Sequence, residues 1–574
     1  MINLSENALK VAESRYFLES EDWEKCTLRV AEAVSINEKE SIKYRDLFYE
    51  MISEMYFLPG GRILRNANRL SGSLFNCYLL PIDDSIESIG QCKKEALQLW
   101  AQGGGVGINF SNLRPKGSLI KGIGGDSSGL VSFMKTFNYD AEVIQIGGGR
   151  RAAALGMIDI SHPEVLDFMD AKLKDGELSH FNLSVVINKE FIDAVVEDKD
   201  WEFKFAQKSY GIIKARELWD KILTNMLSSG EPGIINWNNL RKNNSYYFAP
   251  IIGTNVCGEA VLESGGVCCL GSIVLPNFIA GTSNTNWVKL DMILRLAVRF
   301  LDNIIDINKY VLELNKRAAY RGRRLGLGIM GYAEYLFMKK IRYGSERSIY
   351  EIERLMSFIR NTVYDESVNL AIEKGAFPAF ESLSYCKASF VRRLPAKLRM
   401  RIREHGIRNC SLMAIAPTGT ISLLPEVSSG IEPLFSKAYL RKDRVSDRIY
   451  IHKLYKDFIF SNKDIPEWYV DSYDLQPEDH FTTQASFQEF VDGAISKTIL
   501  LPKSATKEDL DKLLLEFARD LKGITIYKDG CRENQPLNKL TLGEVKKYLN
   551  KKNTETTSSL TEEDVICPTG SCEI

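Results

Sequence analysis

Apolar residues recur every three to four positions early in the chain, at Ala8, Leu9, Val11 and Ala12 and again at Leu28, Val30, Ala31 and Val34. That period puts them on one helix face, so residues 1–70 are predicted to be helical, with a break at Pro59-Gly60-Gly61. The pattern then changes. Residues 74–80 form a short continuous apolar run, read as a buried strand with Cys77 at its centre. Helical spacing returns over 88–102 and stops at the glycines of 103–107. Residues 182–187 and 201–205 read as strands, and 287–308 as a strongly periodic helix. Residues 321–330 read as a basic loop entering a glycine-containing strand. Strand-like and helix-like segments alternate to about residue 440, the order of an α/β domain with a mainly parallel sheet. A strand is predicted at 411–415 and another at 523–527. Residues 551–564 hold one apolar residue, Leu560, and are predicted to be a flexible linker.

Candidate chemistry sits within this frame. Asn255-Val256-Cys257-Gly258-Glu259 carries an amide, a thiol and a carboxyl at alternate positions. In an extended segment all three point to one side. A hydrogen-bonding group, a one-electron or nucleophilic centre and an acid/base then face one substrate. The same spacing also suits a half-buried strand with a core cysteine. Glycine-rich stretches at 103–107, 122–129 and 147–149 suit close backbone approach to a phosphate-rich ligand, or ordinary turns. Arg150 and Arg151 follow the third and offer bidentate phosphate contacts. None of the three is a P-loop or a clean GxGxxG. The 411–415 strand runs into Pro417, Thr418, Gly419, Thr420 and Ile421. Such a turn can grip an anion through backbone N–H groups and hydroxyls, or simply cap itself.

Composition narrows the classes. The chain has 574 residues, enough for several domains or one large barrel with appended parts. A net charge of −1 argues against a dedicated nucleic-acid or membrane surface. No basic-then-apolar leader opens the chain, and no apolar run approaches the roughly 20 residues of a spanning helix, so a cytoplasmic protein is expected. Eleven cysteines without an export signal point to reduced, buried or chemically employed thiols rather than a disulfide framework. Cys567 and Cys572 stand apart: they follow the polar linker around Pro568 and Gly570, where core packing cannot explain them. Zinc would want four ligands and no others lie near, so no metal site is expected and a mobile redox dithiol is the better reading. A coil of about 16 residues spans roughly 20–24 Å on average and up to about 55 Å extended, enough to visit a buried site.

Taken together, the segments resemble a ribonucleotide reductase catalytic subunit. The resemblance runs from about residue 8 to 537 through FLPGGRIL at Phe57, NCYLLP at Asn76, GGGVGINFSNLRPKGS at Gly103, GGGRRAA at Gly147, NVCGE at Asn255 and CCLGS at Cys268. It continues through RRLGLGIMGYAEYL at Arg323, APTGTIS at Ala416, SSGIEPLF at Ser428 and IYKDGCRENQPL at Ile526. It implies a ten-stranded α/β barrel over 71–537, with NVCGE on a central finger loop. A helical region without an ATP cone would precede it (1–70), and a flexible redox tail would follow (538–574). By motif match Cys257 would be the thiyl that takes hydrogen from the ribose 3′ carbon, Glu259 the base for the 3′ hydroxyl, and Asn255 the clamp on the substrate hydroxyls. Cys77 and Cys268 would be the dithiol that reduces the 2′ position, re-reduced by Cys567 and Cys572 through exchange. Cys269 stands where family members commonly carry Asn; Cys268 occupies the motif's cysteine position. Asn76, Gly105 and Pro417, Thr418, Gly419, Thr420 and Ile421 would hold the substrate and its phosphates. Gly148, Gly149, Arg150 and Arg151 would sense a nucleotide effector (dNTP or ATP).

A thiyl radical needs a cofactor to form. The segment 525–529 carries one tyrosine, Tyr527, where the class that draws its radical from a metal-containing subunit has two adjacent. No glycyl-radical motif is visible near the end. The resemblance therefore implies an adenosylcobalamin-dependent (class II) enzyme acting on ribonucleotides, most simply diphosphates. Its partners would be a thioredoxin- or glutaredoxin-like reductant and a second copy in a homodimer. The alternatives are a class I subunit with a radical-generating partner, and a non-catalytic nucleotide-binding relative.

Overall fold

The chain opens with the helices Glu6–Arg15, Trp23–Ser35 and Ser41–Ser53. Ser5 and Asp22 cap the first two by accepting from Ala8 N and Lys25 N, contacts worth about 1 kcal/mol each. Their apolar stripes, among them Ala8, Val11, Val30 and Val34, are buried. The break expected at Pro59 holds a short strand, Phe57–Pro59, before Gly61 opens the helix Gly61–Asn66.

These coordinates are a computed structural model that describes residues 2–120, 124–144, 152–174, 176–245, 247–281, 283–442, 447–531 and 537–558. The chain divides into two units, Met1–Phe435 with Glu467–Glu533, and Ser436–Pro466 with Asn534–Ile574.

In the larger unit, an eight-stranded sheet has the order Val267–Cys268, Cys77–Leu80, Gly105–Asn109, Ala154–Asp159, Phe181–Ile187, Gly233–Asn236, Gly523–Lys528, Thr498–Leu501. The strands from Cys77–Leu80 to Gly233–Asn236 are parallel, joined by helices as long crossovers require. Gly523–Lys528 pairs antiparallel to Gly233–Asn236 and parallel to Thr498–Leu501. A second, three-stranded sheet sets Leu270–Val274 between Phe57–Pro59 and Gly326–Met330. The strands thus fall into two main sheets rather than one continuous ten-stranded ring. The long helix Trp287–Ile307 packs against the second sheet; its buried Asp302 accepts from Arg323, Arg408 and Asn409.

Three local expectations differ from the structure. The glycine run at 103–107 is not all loop: Gly105 begins a strand, and a Cβ on Gly107 would lie 2.2 Å from the carbonyl oxygen of Thr254. Glycine lets the hairpin Ile251–Thr254/Val261–Glu263 touch that strand. The predicted strand at 411–415 forms no regular ladder among the described residues: its bridges are isolated, Leu327 to Met413 and Ile415 to Ile495. The cause is Asp492, whose carboxylate takes the N–H groups of Leu412 and Met413. Finally, the expected linker is helical in its first part, because the helix Leu542–Ser558 meets no glycine or proline after Gly543 in its first turn. Cys567 and Cys572 lie outside the described residues, as do Gly148, Gly149, Arg150 and Arg151.

The smaller unit carries an antiparallel sheet in which Ala438–Lys442 lies between Asp447–Ile451 and Leu537–Lys539. Tyr439 and Tyr450 stack across it, ring centroids 5.3 Å apart. Among the described residues, no helix is long and apolar enough to cross a membrane.

Candidate active site

The hairpin Ile251–Thr254/Val261–Glu263 is the central element of the site. Its Ile251, Ala260, Val261 and Leu262 belong to one buried cluster with Leu79, Leu155, Met157, Val186 and Ile235 from the large sheet, and with Ala416 and Ala494. The hairpin is held by polar contacts as well. Asn109 Nδ2 donates to Ile252 O at 2.9 Å, and Ala494 N donates to Glu259 O at 2.8 Å.

Residues 255–260 form the turn at the hairpin tip. Gly258 has φ +80°, in the left-handed region, and its N–H donates to Asn255 O. The segment is therefore not extended, and the alternate-position argument for a shared face does not apply. The turn itself sets the three side chains. Asn255 is fully buried, with Oδ1 accepting from Ala260 N at 2.9 Å; among the described residues its Nδ2 has no hydrogen-bond partner. Glu259 is 1% exposed, and among the described residues its Oε2 has no partner either. Cys257, by contrast, is exposed at the tip.

A cavity of about 330 Å³ opens at this tip. Cys257, Glu259 and Val256 line one part of its wall, and Asn76, Cys77 and Gly105 another. Pro417, Thr418, Gly419, Thr420 and Ile421 close a third. Asn255 is not in the wall. Thr418 has φ +50°, a costly conformation for a β-branched residue. Its Oγ1 accepts from Gly430 N at 2.9 Å, which pins the loop. Gly60, Gly61 and Ser272 also line the cavity. They were not named as site residues from the sequence, although FLPGGRIL and CCLGS contain them. The backbone-rich wall and the size suit a polar small molecule.

Two cysteines distant in sequence meet here. Cys77 and Cys268 are register partners across the antiparallel pairing of their strands. Directly opposed residues in such a pair have Cα atoms about 4.5–5.5 Å apart, within the range a disulfide spans. Both are free. Burial pushes the Cys268 thiol well above its usual range, helped by the neighbouring Glu259 and Cys77, so it stays protonated at neutral pH. Cys269 faces the other way, its Sγ donating to Leu301 O in the helix behind the second sheet. The alternation of the strand thus separates the two adjacent thiols.

Burial also governs Glu259. It pushes the carboxyl from an ordinary 4.5 up to about 7, against smaller opposing effects of its own backbone N–H and of Asn255. A carboxyl poised there can hold or accept a proton at neutral pH. Because the folded-state value lies above the unfolded one, the neutral form adds stability that is full below about pH 4.5 and lost as pH rises through 7. Glu259→Gln is expected to remove that slope, worth about 3 kcal/mol across the window. Urea denaturation of both proteins at pH 5 and pH 8 measures it; parallel pH dependence would show that the carboxyl is not shifted. Among the described residues, no group of three His, Cys, Asp or Glu is placed to hold a metal ion.

Comparison with known proteins shows the family. Residues 75–527 match the family described as ribonucleotide reductase, barrel domain, and residues 2–72 match ribonucleotide reductase, all-alpha domain. A vitamin B12-dependent ribonucleoside-diphosphate reductase of Thermoplasma acidophilum is 33% identical over 92% of this chain and 72% of its own length. One of the same description from Mycobacterium tuberculosis is 33% identical over 93% of this chain and 81% of its own. A ribonucleoside-diphosphate reductase subunit alpha of Chlamydia trachomatis is 26% identical over 78% of this chain and 48% of its own. With both of its matched regions in family order and the finger hairpin, opposed cysteines and cavity in one place, the chain belongs to the ribonucleotide reductase family.

Proposed function

We propose that the protein reduces ribonucleotides, diphosphates in the first instance, to 2′-deoxyribonucleotides by thiyl-radical chemistry with adenosylcobalamin as radical source. The observation that carries this reading is the convergence of Cys257, Glu259 and Cys77 on one cavity, with Cys268 opposite Cys77. Cys257 abstracts the 3′ hydrogen, and Glu259 removes the 3′ hydroxyl proton as the radical forms. The 2′ hydroxyl leaves as water with a proton from the Cys77/Cys268 pair. That pair supplies two electrons and closes to a disulfide, so one ribonucleotide and one dithiol give one deoxyribonucleotide, one disulfide and one water. Asn255 holds substrate through its unpartnered Nδ2 after a small movement of the turn. Asn76, Gly105 and the Pro417–Ile421 loop seat the sugar and phosphates. Cys567 and Cys572 return the disulfide to dithiol, themselves reduced by a thioredoxin- or glutaredoxin-like protein. Gly148, Gly149, Arg150 and Arg151 read a dNTP or ATP effector, and the protein acts as a cytoplasmic homodimer.

The site fits a bulky radical source at one place. Cys257 is exposed, and a Cβ on Gly258 would meet nothing within 4 Å among the described residues, which leave the space over the tip open. Adenosylcobalamin, when bound, supplies the one-electron oxidation that no protein side chain provides. The relatives described as vitamin B12-dependent support this choice.

The same reading makes the two sheets arcs of one ten-stranded α/β barrel within 71–537, between a helical region (1–70) and a tail (538–574). The single bridges at Met413 and Ile415 support closure on one side. On the other, the Val267–Cys268 strand of the first sheet is followed by Leu270–Val274 of the second. The test is turnover of a ribonucleoside diphosphate by the purified chain with adenosylcobalamin and dithiothreitol. Product formed by the chain alone supports the proposal. Turnover only after addition of a metal-containing subunit would make it class I, and nucleotide binding without turnover under either condition would make it a non-catalytic relative.

A further inference from the structure

Among the buried charged groups that the mechanism above leaves without a role is Lys522. Lys522 is 1% exposed and immediately precedes the strand Gly523–Lys528, which pairs with Gly233–Asn236. Its own carbonyl accepts from Asn236 N, so its backbone is fixed to the large sheet. Its Nζ donates to three backbone carbonyls: Asn243 O at 2.5 Å, Asp492 O at 2.7 Å and Gly493 O at 2.8 Å. Three acceptors match the three protons of an ammonium group. Burial pushes the amine down to about 7, with Asp492 opposing, while the three carbonyl acceptors favour the protonated form.

The segment Lys522 grips is the one the finger rests on. Gly493 N donates to Met413 O, and the next residue, Ala494, donates its N–H to Glu259 O. The approach is tight enough to require glycine: a Cβ on Gly493 would lie 2.5 Å from Met413 O and 3.1 Å from Glu259 O. From the other side, Asp492 holds Leu412 N and Met413 N. Residues 492–494 are thus clamped between a lysine behind and the finger in front. Lys522 itself touches neither the cavity wall nor Glu259.

We infer that Lys522 is a positioning residue for Glu259: its three hydrogen bonds fix residues 492–494 as the seat that sets the height of the finger tip in the cavity. A buried amine does this where a second strand cannot, because it satisfies carbonyls from two separate segments at one point. The inference rests on the proposed role of Glu259, but the seat itself is testable without turnover.

The test uses Lys522→Met and Gly493→Ala in the full chain, read by hydrogen–deuterium exchange and by steady-state kinetics. Each variant is expected to speed exchange in the finger peptide 251–263 by about 10-fold or more, while the helix 287–307 keeps its protection. With the proposed substrate, kcat is expected to fall about 10- to 100-fold with KM changed less than about 3-fold, the split of an interaction felt in the transition state. A merely structural lysine would loosen the finger and the helix together and leave that split absent. Should Lys522→Met fail to fold, Gly493→Ala decides, since it disturbs the same seat from the front. Unchanged finger exchange in the folded variants would overturn the inference. If the wild-type protein shows no turnover, the functional proposal fails while the exchange measurement still judges the seat.

Discussion

Replacing Cys257 by alanine is expected to abolish ribonucleotide reduction, lowering kcat by at least about 10⁴-fold, the scale on which loss of a covalently reacting residue is felt. The physical reason is that its role cannot be shared. A thiol carries a radical where an alkyl or aliphatic hydroxyl side chain does not, and among the described residues no other thiol lines the cavity except Cys77. Cys77 is buried within a strand, 7% exposed, and engaged with Cys268, whereas Cys257 stands at the exposed tip. The substitution costs little in structure, because an exposed side chain on a turn makes few packing contacts. Nucleotide binding and the thermal midpoint of Cys257→Ala are therefore expected to stay near wild type. Calorimetric binding and a melting curve beside the turnover assay check this. Retained turnover would remove Cys257 from the mechanism, whereas lost binding would mean that the variant reports on structure.

Cys77→Ser and Cys268→Ser are each expected to stop multiple turnover, while Cys269→Ser keeps it within a few-fold. One reduction needs two electrons, and a disulfide forms only between opposed thiols. The register pairs Cys77 with Cys268. Cys269 points at Leu301 O, and a serine there keeps that hydrogen bond. The contrast between neighbours is the sharp part of the prediction, since Cys268 and Cys269 are equally buried and share one peptide bond. Product per enzyme under dithiothreitol, followed by mass analysis of the 77–268 disulfide after a single turnover, separates the cases. Activity lost in Cys269→Ser and kept in Cys268→Ser would invert the assignment.

Much of the architecture is written in local pattern. The helices at 1–70 and 287–308 follow from apolar spacing and caps such as Ser5 and Asn286, which act within one turn. The strands at 74–80, 182–187 and 523–527 follow from short apolar runs. The motifs NVCGE, CCLGS and APTGTIS identify the family and name Cys257, Glu259, Cys77 and Cys268 as candidates. Where local pattern misled, a long-range contact had intervened. The 411–415 strand loses its regular ladder to the Asp492 carboxylate, 79 and 80 residues away in sequence. The glycines of 103–107 read as a loop, yet Gly107 lies in a strand and makes room for Thr254.

The site shows the same division. Residue types and their order along the chain determined which chemistry was available: a thiol and a carboxyl two residues apart, a second pair of cysteines, and a glycine- and hydroxyl-rich turn. Tertiary structure alone decided how they act. The extended reading of residues 255–259 put three side chains on one face, but the chain turns at Gly258, leaving Cys257 exposed and burying Asn255 and Glu259. The motif position already pointed to Cys268, and strand register is what sets it opposite Cys77; the seat under Glu259 came from Lys522, which no motif marks. The physical reason is range. Helix and strand preferences are set by neighbours a few residues apart, whereas desolvation, register and the reach of a buried ammonium depend on what the fold brings near through space.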